Sequence, residues 1–209
     1  MSNRVMFVCA MNICRSPLLA ATFARSLPQW LAPSYEARSR GTQVVRGSGM
    51  CETAASLLGH LDPEHVAMPA DAASLRACDL ILTATVRERA VLAQIGPGLR
   101  PRTFTVREAV VLGRLDEQPS WLPEPEPADG PVRRYAALLN ARRGLASPAS
   151  PRFRWPWRPR EEPLDIPDVH LKGPREHLAG LRAAQRDARA IAEQIAAFTR
   201  TCSLMGDRG

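Results

Sequence analysis

Near its start the chain reads Val5-Met6-Phe7-Val8-Cys9-Ala10-Met11-Asn12-Ile13-Cys14-Arg15-Ser16-Pro17. The apolar run at its beginning predicts a buried strand, which ends at Cys9. Ser16 suits the residue before a helix, and Pro17 suits the first turn because its missing N–H would be unpaired there anyway. The stretch therefore predicts a strand, a tight loop and a helix start, with a thiol at the entrance of the loop and the Arg15 guanidinium at its exit.

This predicted loop has the chemistry of a phosphate-binding site. A helix N-terminus attracts oxyanions through its free N–H groups, and the backbone of a tight loop adds further donors. Arg15 contributes a planar fork that binds two phosphate oxygens at once. Cys9 is expected to be a thiolate in this field, placed for in-line attack on phosphorus through a phosphocysteine intermediate. The alternative, a merely buried thiol at a strand end, leaves the surrounding Asn and the Ser-Pro helix start unexplained.

The same residues resemble the signature of the low-molecular-weight protein tyrosine phosphatases. That signature reads Cys-x-Gly-Asn-x-Cys-Arg-Ser-Pro, and this chain has Cys9-Ala10-Met11-Asn12-Ile13-Cys14-Arg15-Ser16-Pro17. The resemblance implies that Cys9 is the nucleophile, Arg15 the phosphate clamp, Ser16 a hydrogen-bond donor to the thiolate and Asn12 a brace of the loop. The backbone of the intervening residues would bind phosphate oxygens, at Ala10, Met11, Ile13 and Cys14.

Two positions of the loop carry further expectations. The resemblance implies that Cys14 can form a protective disulfide with Cys9 under oxidation. Met11 stands where the family has Gly, a residue favoured where the backbone needs a positive φ or a close approach. We therefore expect Met11 to strain the loop or to narrow the mouth of the pocket.

A hydrolase of this kind also needs a general acid for the leaving oxygen. The family uses an Asp shortly before the last helix, in a segment that bacterial members often write Asp-x-Pro-Asp-Pro. This chain reads Asp165-Ile166-Pro167-Asp168-Val169 there, which makes Asp168 the expected acid and Asp165 the fallback. The alternative is that both are solvated loop carboxylates, as is common for Asp near Pro.

Apolar and helical segments alternate along the chain. Strands are predicted at Val5–Val8, Tyr35–Ser39, Asp79–Thr83 and Arg102–Val106. Helices are predicted at Pro17–Leu31, Met50–Leu61, Ala70–Ala77, Arg87–Ile95, Arg107–Leu115 and Arg175–Phe198. This alternation predicts an α/β fold, a four-stranded parallel sheet with helices on both faces (doubly wound). The resemblance to the family implies that this sheet is of the low-molecular-weight phosphatase type.

We expect residues 1–209 to form a single phosphatase domain with a Pro- and Trp-rich insertion at about 118–163. The insertion contains Trp121, Trp155 and Trp157 and a short helical piece, Val132–Arg143. Two interpretations are open. It is either an insertion without a core of its own, or a lid, because it runs directly into the segment with Asp168.

Composition narrows the class of protein. The formal charge of +7 comes from scattered Arg residues without a nucleic-acid-binding signature, so we expect no nucleic-acid partner. A secretion signal and an apolar run of membrane-spanning length are both lacking, and five Cys without framework spacing favour a reducing, cytoplasmic location. Cys-x2-Cys and His-x3-His pairs are absent, so we expect neither a metal site nor a cofactor.

The remaining Cys and His are predicted to have ordinary roles. Cys51 is expected to pack within a helix, Cys78 at a strand start and Cys202 in a frayed tail. The four His are expected at the surface or in loops; they are His60, His65, His170 and His177. For His170 and His177, which flank the loop with Asp168, a contact with the substrate is also open.

These patterns predict a phosphomonoester hydrolase, with phosphotyrosine protein as the default substrate. A small-molecule phosphate ester is the alternative, because Gln43-Val44-Val45 and Val169-His170-Leu171 lack the aromatic walls usual in the family. A phosphate-binding module without turnover is a third possibility. Arsenate reduction is disfavoured because Cys78 and Cys202 have no Cys between them, and phosphoarginine because Ile13 stands where arginine phosphatases usually have Thr.

Overall fold

A computed structural model describes residues 3–59, 64–115, 129–143 and 164–206 of the chain. The three Trp of the insertion and His60 lie outside these residues, as do most of the predicted 118–163 segment and the end of the predicted Met50–Leu61 helix. Within the described residues, no helix is both long enough and apolar enough to cross a membrane.

Four parallel strands form one sheet in the order β2-β1-β3-β4. They are β1 (Asn3–Cys9), β2 (Tyr35–Gly41), β3 (Leu80–Thr83) and β4 (Thr103–Thr105). The central strand β1 is apolar and buried from Val5 to Cys9, as expected of a parallel strand covered on both faces. The register pairs Cys9 with Gly41, so that the end of β2 lies beside the start of the predicted phosphate loop.

Seven helices accompany the sheet in the described residues. They are α1 (Arg15–Ser26), α2 (Glu52–Leu57), α3 (Ala72–Arg76), α4 (Val86–Ile95), α5 (Val106–Gly113), α6 (Pro131–Ala141) and α7 (Pro174–Gly206). Short 3-10 turns precede β2 and β4. The predicted elements are present, but α1 ends well before the predicted Leu31. Leu27 has an extended ψ of 137° because Pro28 follows it, and a residue before proline avoids the helical conformation.

Apolar side chains pack on both faces of the sheet, which confirms the predicted fold class. On one face Phe7 and Leu82 contact a large cluster with Phe23 of α1 and Ile191 of α7. On the other face a smaller cluster joins the sheet to α3 and α4, through Met6, Val8, Ile81, Leu75, Cys78, Leu92 and Leu99. The carboxyl ends of the strands are therefore held between two layers of helices, which is where such sheets bind ligands.

Helix α6 lies in the insertion, yet its apolar side belongs to the large cluster. Val132, Tyr135 and Leu139 are buried there, and the Tyr135 hydroxyl donates to Gln194 Oε1 of α7 at 2.9 Å. Its start adjoins Asn3, at the end of β1 away from Cys9. The short helix predicted at Val132–Arg143 is therefore present as α6. Its apolar stripe packs into the common core rather than over the predicted site, so this helix is not a lid. The role of the rest of the insertion stays a prediction.

Candidate active site

The predicted phosphate loop connects β1 to α1 at the carboxyl edge of the sheet. Its carbonyl oxygens accept hydrogen bonds from segments outside it. Thr42 N–H donates to Cys9 O at 3.0 Å, Gln43 N–H to Ala10 O at 2.8 Å and Cys51 N–H to Ile13 O at 2.8 Å. The neighbouring segments thus hold the loop by its carbonyl oxygens, an arrangement in which backbone N–H groups of the loop can bind an anion.

Two polar groups contact the sulfur of Cys9, a residue that is only 2% exposed. Asn12 N–H donates to Cys9 Sγ at 3.3 Å, and Ser16 Oγ lies 3.0 Å from the same sulfur. The single proton of the Ser16 hydroxyl has a second acceptor, Arg40 O at 3.2 Å. A thiolate would take this proton because a hydrogen bond to an ionised acceptor is the stronger one. The arrangement can therefore stabilise negative charge on Cys9.

Asn12 holds the loop in shape. It is fully buried with φ of 58°, and its Nδ2 donates to Ser16 Oγ and to Ser39 Oγ, each at 2.9 Å. Its Oδ1 accepts from Met68 N–H at 2.9 Å, and its carbonyl accepts from His65 Nε2 at 2.8 Å. The Asn side chain therefore connects the loop to β2 and to the segment before α3.

The expected backbone strain at Met11 is wrong. Within the described residues, Asn12 is the non-glycine residue with a positive φ, and Met11 does not share that conformation. Asn tolerates the left-handed region better than most residues, because its short polar side chain bonds locally. The turn therefore needs no glycine at position 11, and the half-buried Met11 fits without a positive φ.

Gly41 makes a close approach that the sequence did not explain. A Cβ built on it would lie 2.6 Å from Ala10 O and 3.0 Å from Asn12 Cβ. The end of β2 therefore packs directly against the phosphate loop, at a distance that only glycine permits.

Arg15 joins the phosphate loop to residues 165–171, which are here called the acid segment. Its guanidinium is nearly buried, with NH2 at 2.5 Å from Asp168 Oδ2 and NH1 donating to Ile166 O at 3.1 Å. The buried Glu88 of α4 adds a second carboxylate 4.0 Å from the guanidinium, a neighbour that the sequence did not reveal. Asp168 itself is 55% exposed, and its Oδ1 accepts from His170 N–H at 3.1 Å. The predicted nucleophile loop, clamp and acid are thus brought to one place.

Asp165 has a different environment. Its Oδ1 accepts a hydrogen bond from Val86 N–H at 2.8 Å, at the first residue of α4, and its carbonyl accepts from Arg107 at 2.5 Å. Next to it, Ile166 N–H donates to Ala84 O at 2.8 Å. Asp165 therefore anchors the acid segment to the end of β3 and to α4, while Asp168 is the carboxylate that points toward Arg15.

A cluster of Cys14, Cys51, His170 and His177, here called the Cys/His cluster, lies beside these residues. Cys14 Sγ is 3.1 Å from His170 Nδ1, Cys51 Sγ is 4.0 Å from His177 Nε2, and the two imidazole rings meet edge to face at 4.9 Å. The expected positions were wrong for two members. Cys51 precedes α2 instead of packing within it, and His177 is buried in the first turn of α7.

The two thiols of the cluster differ in their proton affinity. The hydrogen bond to Cys51, together with burial, raises the pKa of Cys14, whereas the same hydrogen bond lowers the pKa of Cys51 to about 6. Burial, followed by the nearby His170, lowers the pKa of His177. All five cysteines are free, and the disulfide between Cys14 and Cys9 stays a prediction.

Local spacing could not reveal this cluster, because its members come from four separate segments. The sequence analysis expected no metal site because Cys-x2-Cys and His-x3-His pairs are absent. That criterion detects ligands close together in sequence, not ligands that the fold brings together from distant segments. The sequence held only an indirect indication that Cys14 and His170 lie close together. Cys14 belongs to the phosphate loop and His170 to the acid segment, and these two segments have to meet for catalysis.

Comparisons with known proteins agree with this geometry. The family model "Low molecular weight phosphotyrosine protein phosphatase" matches residues 4–112 of the chain. The low molecular weight protein-tyrosine-phosphatase Wzb of Salmonella typhi is 34% identical over 107 residues, which are 50% of this chain and 68% of that protein. PtpB of Staphylococcus aureus, which bears the same description, is 30% identical over 109 residues, or 51% of this chain and 73% of that protein.

Solved structures extend the likeness of the fold to nearly the whole chain. The tyrosine phosphatase Wzb of Escherichia coli K30, in complex with sulphate, superposes with a TM-score of 0.59 at 18% identity and covers 93% of this chain and 99% of its own. The arginine phosphatase YwlE of Geobacillus stearothermophilus gives 0.58 at 20% identity, with 97% and 96% covered. The chain belongs to the low-molecular-weight protein-tyrosine-phosphatase family, and it is a phosphatase.

Proposed function

We propose that this phosphatase hydrolyses phosphotyrosine in proteins, through a phosphocysteine on Cys9. The observation that carries the proposal is the contact of the Cys9 sulfur with Asn12 N–H and with Ser16 Oγ, beside an Arg15 guanidinium paired with Asp168. These groups supply a nucleophile, a cation for the transferred phosphoryl group and a carboxyl group for proton transfer. No metal ion takes part in the proposed reaction.

The proposed reaction has two steps. In the first, Cys9 Sγ forms a bond to phosphorus, the bond from phosphorus to the ester oxygen breaks, and Asp168 gives its proton to that oxygen. Loop N–H groups and Arg15 bind the three equatorial oxygens. In the second, the Asp168 carboxylate takes a proton from water, the water oxygen attacks phosphorus, and the Cys9 thiolate leaves with inorganic phosphate as the product.

The relatives' names, protein-tyrosine-phosphatase, support phosphotyrosine as the substrate. In place of the aromatic walls usual in the family, aliphatic side chains are exposed after β2 and in the acid segment. Val45 is 58% and Leu171 is 94% exposed, and we propose that they supply the apolar surface for the phenyl ring. A small phosphomonoester is the second candidate, because aliphatic groups contact a ring less extensively than aromatic walls do.

Free cysteines support a cytoplasmic location for this chemistry. All five Cys are free, including the three that are buried. Thiols persist in reducing compartments, where disulfides are rare. We therefore propose that the substrate is a cytoplasmic phosphoprotein.

Hydrolysis of para-nitrophenyl phosphate, measured in the presence of a chelator, tests the proposed roles. Cys9→Ser should abolish turnover, and Asp168→Asn should lower kcat by about 10²–10⁴, the usual contribution of a general acid. Asp165→Asn is the matched control and should retain kcat within about tenfold, because an amide oxygen can still accept from Val86 N–H. Turnover by Cys9→Ser, or equal losses in the two Asp variants, would contradict the assignment.

Phosphopeptides separate the two candidate substrates. If the substrate is phosphotyrosine protein, kcat/KM for a phosphotyrosine peptide should exceed that for a phosphoserine peptide and for small alkyl phosphates. A preference for the alkyl phosphates would favour the second candidate.

A further inference from the structure

The Cys/His cluster has the composition of a metal centre. Each of its four residues offers one ligand atom, and all four atoms lie within 4.8 Å of one another. Two thiolates and two neutral imidazoles are a common ligand set for structural zinc, and thiolate ligands disfavour magnesium and calcium. This ligand set has no part in the proposed phosphoryl transfer.

The distances fit a tetrahedral ion after small adjustments. Zinc lies about 2.3 Å from sulfur and 2.0–2.1 Å from nitrogen, so ligand atoms around it are about 3.3–3.8 Å apart. Two sulfur–nitrogen distances, 3.1 Å for Cys14 with His170 and 4.0 Å for Cys51 with His177, lie on either side of that range. His170 is exposed and Cys51 is half-buried, so side-chain rotations can complete the geometry.

The main chain holds the ligands in position. Cys51 N–H donates to Ile13 O at 2.8 Å, which ties the start of α2 to the phosphate loop next to Cys14. His177 N–H donates to Gly173 O at 2.9 Å within the first turn of α7, and His170 N–H donates to Asp168 Oδ1 at 3.1 Å. The folded chain thus brings the four segments together before any ion binds, which lowers the cost of ordering a site.

From this arrangement we infer that Cys14, Cys51, His170 and His177 bind one Zn²⁺ ion. Binding releases to solvent the thiol protons that the two cysteines still carry, and the two thiolates balance the charge of the ion. Four protein ligands fill a tetrahedral zinc site, so the ion is structural and has no open position for water.

The ion would connect the two halves of the active site. Cys14 lies in the phosphate loop, and His170 is two residues from the expected acid, Asp168. A shared metal therefore holds the acid segment against the loop. It also occupies the Cys14 sulfur, so the metal-bound enzyme cannot form the disulfide between Cys14 and Cys9.

Cobalt provides a readout that does not depend on turnover. Chelator-treated, reduced Cys9→Ser protein is titrated with Co²⁺, which removes the catalytic thiol as an alternative ligand. We expect one equivalent of Co²⁺ to give the strong visible absorption of a tetrahedral ion and a thiolate-to-metal charge-transfer band. One equivalent of Zn²⁺ should then bleach both signals.

Ligand variants in the same Cys9→Ser background test the assignment. Cys14→Ser and Cys51→Ser should each remove about half of the charge-transfer intensity, and loss of any one ligand should weaken Zn²⁺ binding by at least about tenfold, since loss of an outer-shell partner alone costs 10–100-fold. Cys202→Ser, at a Cys remote from the cluster in sequence and in the last turns of α7, is the matched control and should leave the titration unchanged.

Three results would overturn the proposal: no stoichiometric Co²⁺ binding, octahedral spectra without charge transfer, or spectra that Cys14→Ser and Cys51→Ser leave unchanged. If Cys14→Ser does not fold, Cys51→Ser and His170→Ala carry the test, because these positions are half-buried and exposed. Failure here leaves the proposed hydrolysis standing, since the titration uses a protein without its nucleophile.

Discussion

The phosphate loop and the acid segment meet at Arg15, but they are held in place differently. The loop is buried and braced on several sides by β2 and by the segment before α3, chiefly through Asn12 and Gly41. The acid segment is fixed at its beginning, where Asp165 and Ile166 bond to the ends of β3 and α4, whereas Asp168 beyond them is largely exposed. The comparison indicates that changes in the loop affect stability and catalysis together, whereas a change at Asp168 affects catalysis far more than stability.

The largest effect on stability is expected at Asn12. Asn12→Ala removes two side-chain donors, leaves Met68 N–H without its acceptor and forces Ala into a positive φ, which together cost roughly 3 kcal/mol of the free energy of unfolding. Urea denaturation measures this loss, and kcat should fall with it because the Cys9 environment depends on the same bonds.

Asn12→Gly separates the two contributions. Gly accepts the positive φ freely but makes none of the side-chain bonds, so it should be about 1 kcal/mol less destabilising than Ala. Equal losses for Ala and Gly would mean that the left-handed conformation contributes nothing.

Gly41→Ala is expected to have the next largest effect. The added Cβ would lie 2.6 Å from Ala10 O. Neither atom can rotate away, because one is a Cβ and the other a backbone oxygen. The contact is therefore relieved only by moving the loop away from β2, which lowers the free energy of unfolding by about 2 kcal/mol. Thermal and urea unfolding measure the stability. The inhibition constant of inorganic phosphate as a competitive inhibitor measures how well the displaced loop still binds an anion.

Gly98→Ala is the control for this substitution. A Cβ there has no neighbour within 4 Å, so the free energy of unfolding should change by no more than about 0.5 kcal/mol. The account of Gly41 would be contradicted if the two variants were equally stable.

The two carboxylates of the acid segment should separate stability from catalysis. Asp165→Ala removes the acceptor of Val86 N–H and should cost about 1 kcal/mol, the usual value of a lost helix-start bond. Asp168→Ala breaks a half-exposed ion pair, costs less than about 1 kcal/mol and lowers kcat strongly. Unfolding and kinetic measurements on both variants test this difference. A larger loss of stability for Asp168→Ala than for Asp165→Ala would contradict it.

The smallest effect is expected where α7 supports the acid segment. A Cβ at Gly180 would lie 2.5 Å from Val169 Cγ2, which pushes the residue next to Asp168. Ala is favoured over Gly inside a helix by roughly 1 kcal/mol, so Gly180→Ala should be about as stable as the wild type or slightly more so. We expect kcat to fall severalfold while KM changes little, and an unchanged kcat would show that Val169 moves aside freely.

The phosphate loop and the acid segment also differ in how far the sequence predicted them. The phosphate loop was predictable because Cys9, Arg15 and Ser16 are consecutive parts of one strand–loop–helix unit. The acid segment was placed by its resemblance to the family and by its position before the last helix. The alternation of apolar and helical segments was sufficient to predict the four parallel strands and their helices.

Contacts between distant segments were not predictable. The close approach of Gly41, the burial of Glu88 near Arg15 and the assembly of the Cys/His cluster depend on how separate loops meet at the sheet edge. The positive φ of Asn12 was also not predicted, because the family's Gly stands at the preceding position, which is Met11 here. The helix within the insertion was predictable from its own sequence, but its packing into the common core was not.

Direct detection of the phosphocysteine is the sharpest test of the proposed mechanism. The enzyme is mixed with para-nitrophenyl phosphate, quenched rapidly in denaturant and digested, and the peptide with the phosphate loop is fragmented in a mass spectrometer. Cys14→Ser protein is treated in parallel, since Cys9 and Cys14 share that peptide. The account predicts one phosphoryl group on Cys9 in both proteins. A phosphoryl group on Cys14 or on another residue, or turnover without any phosphorylated enzyme, would contradict it.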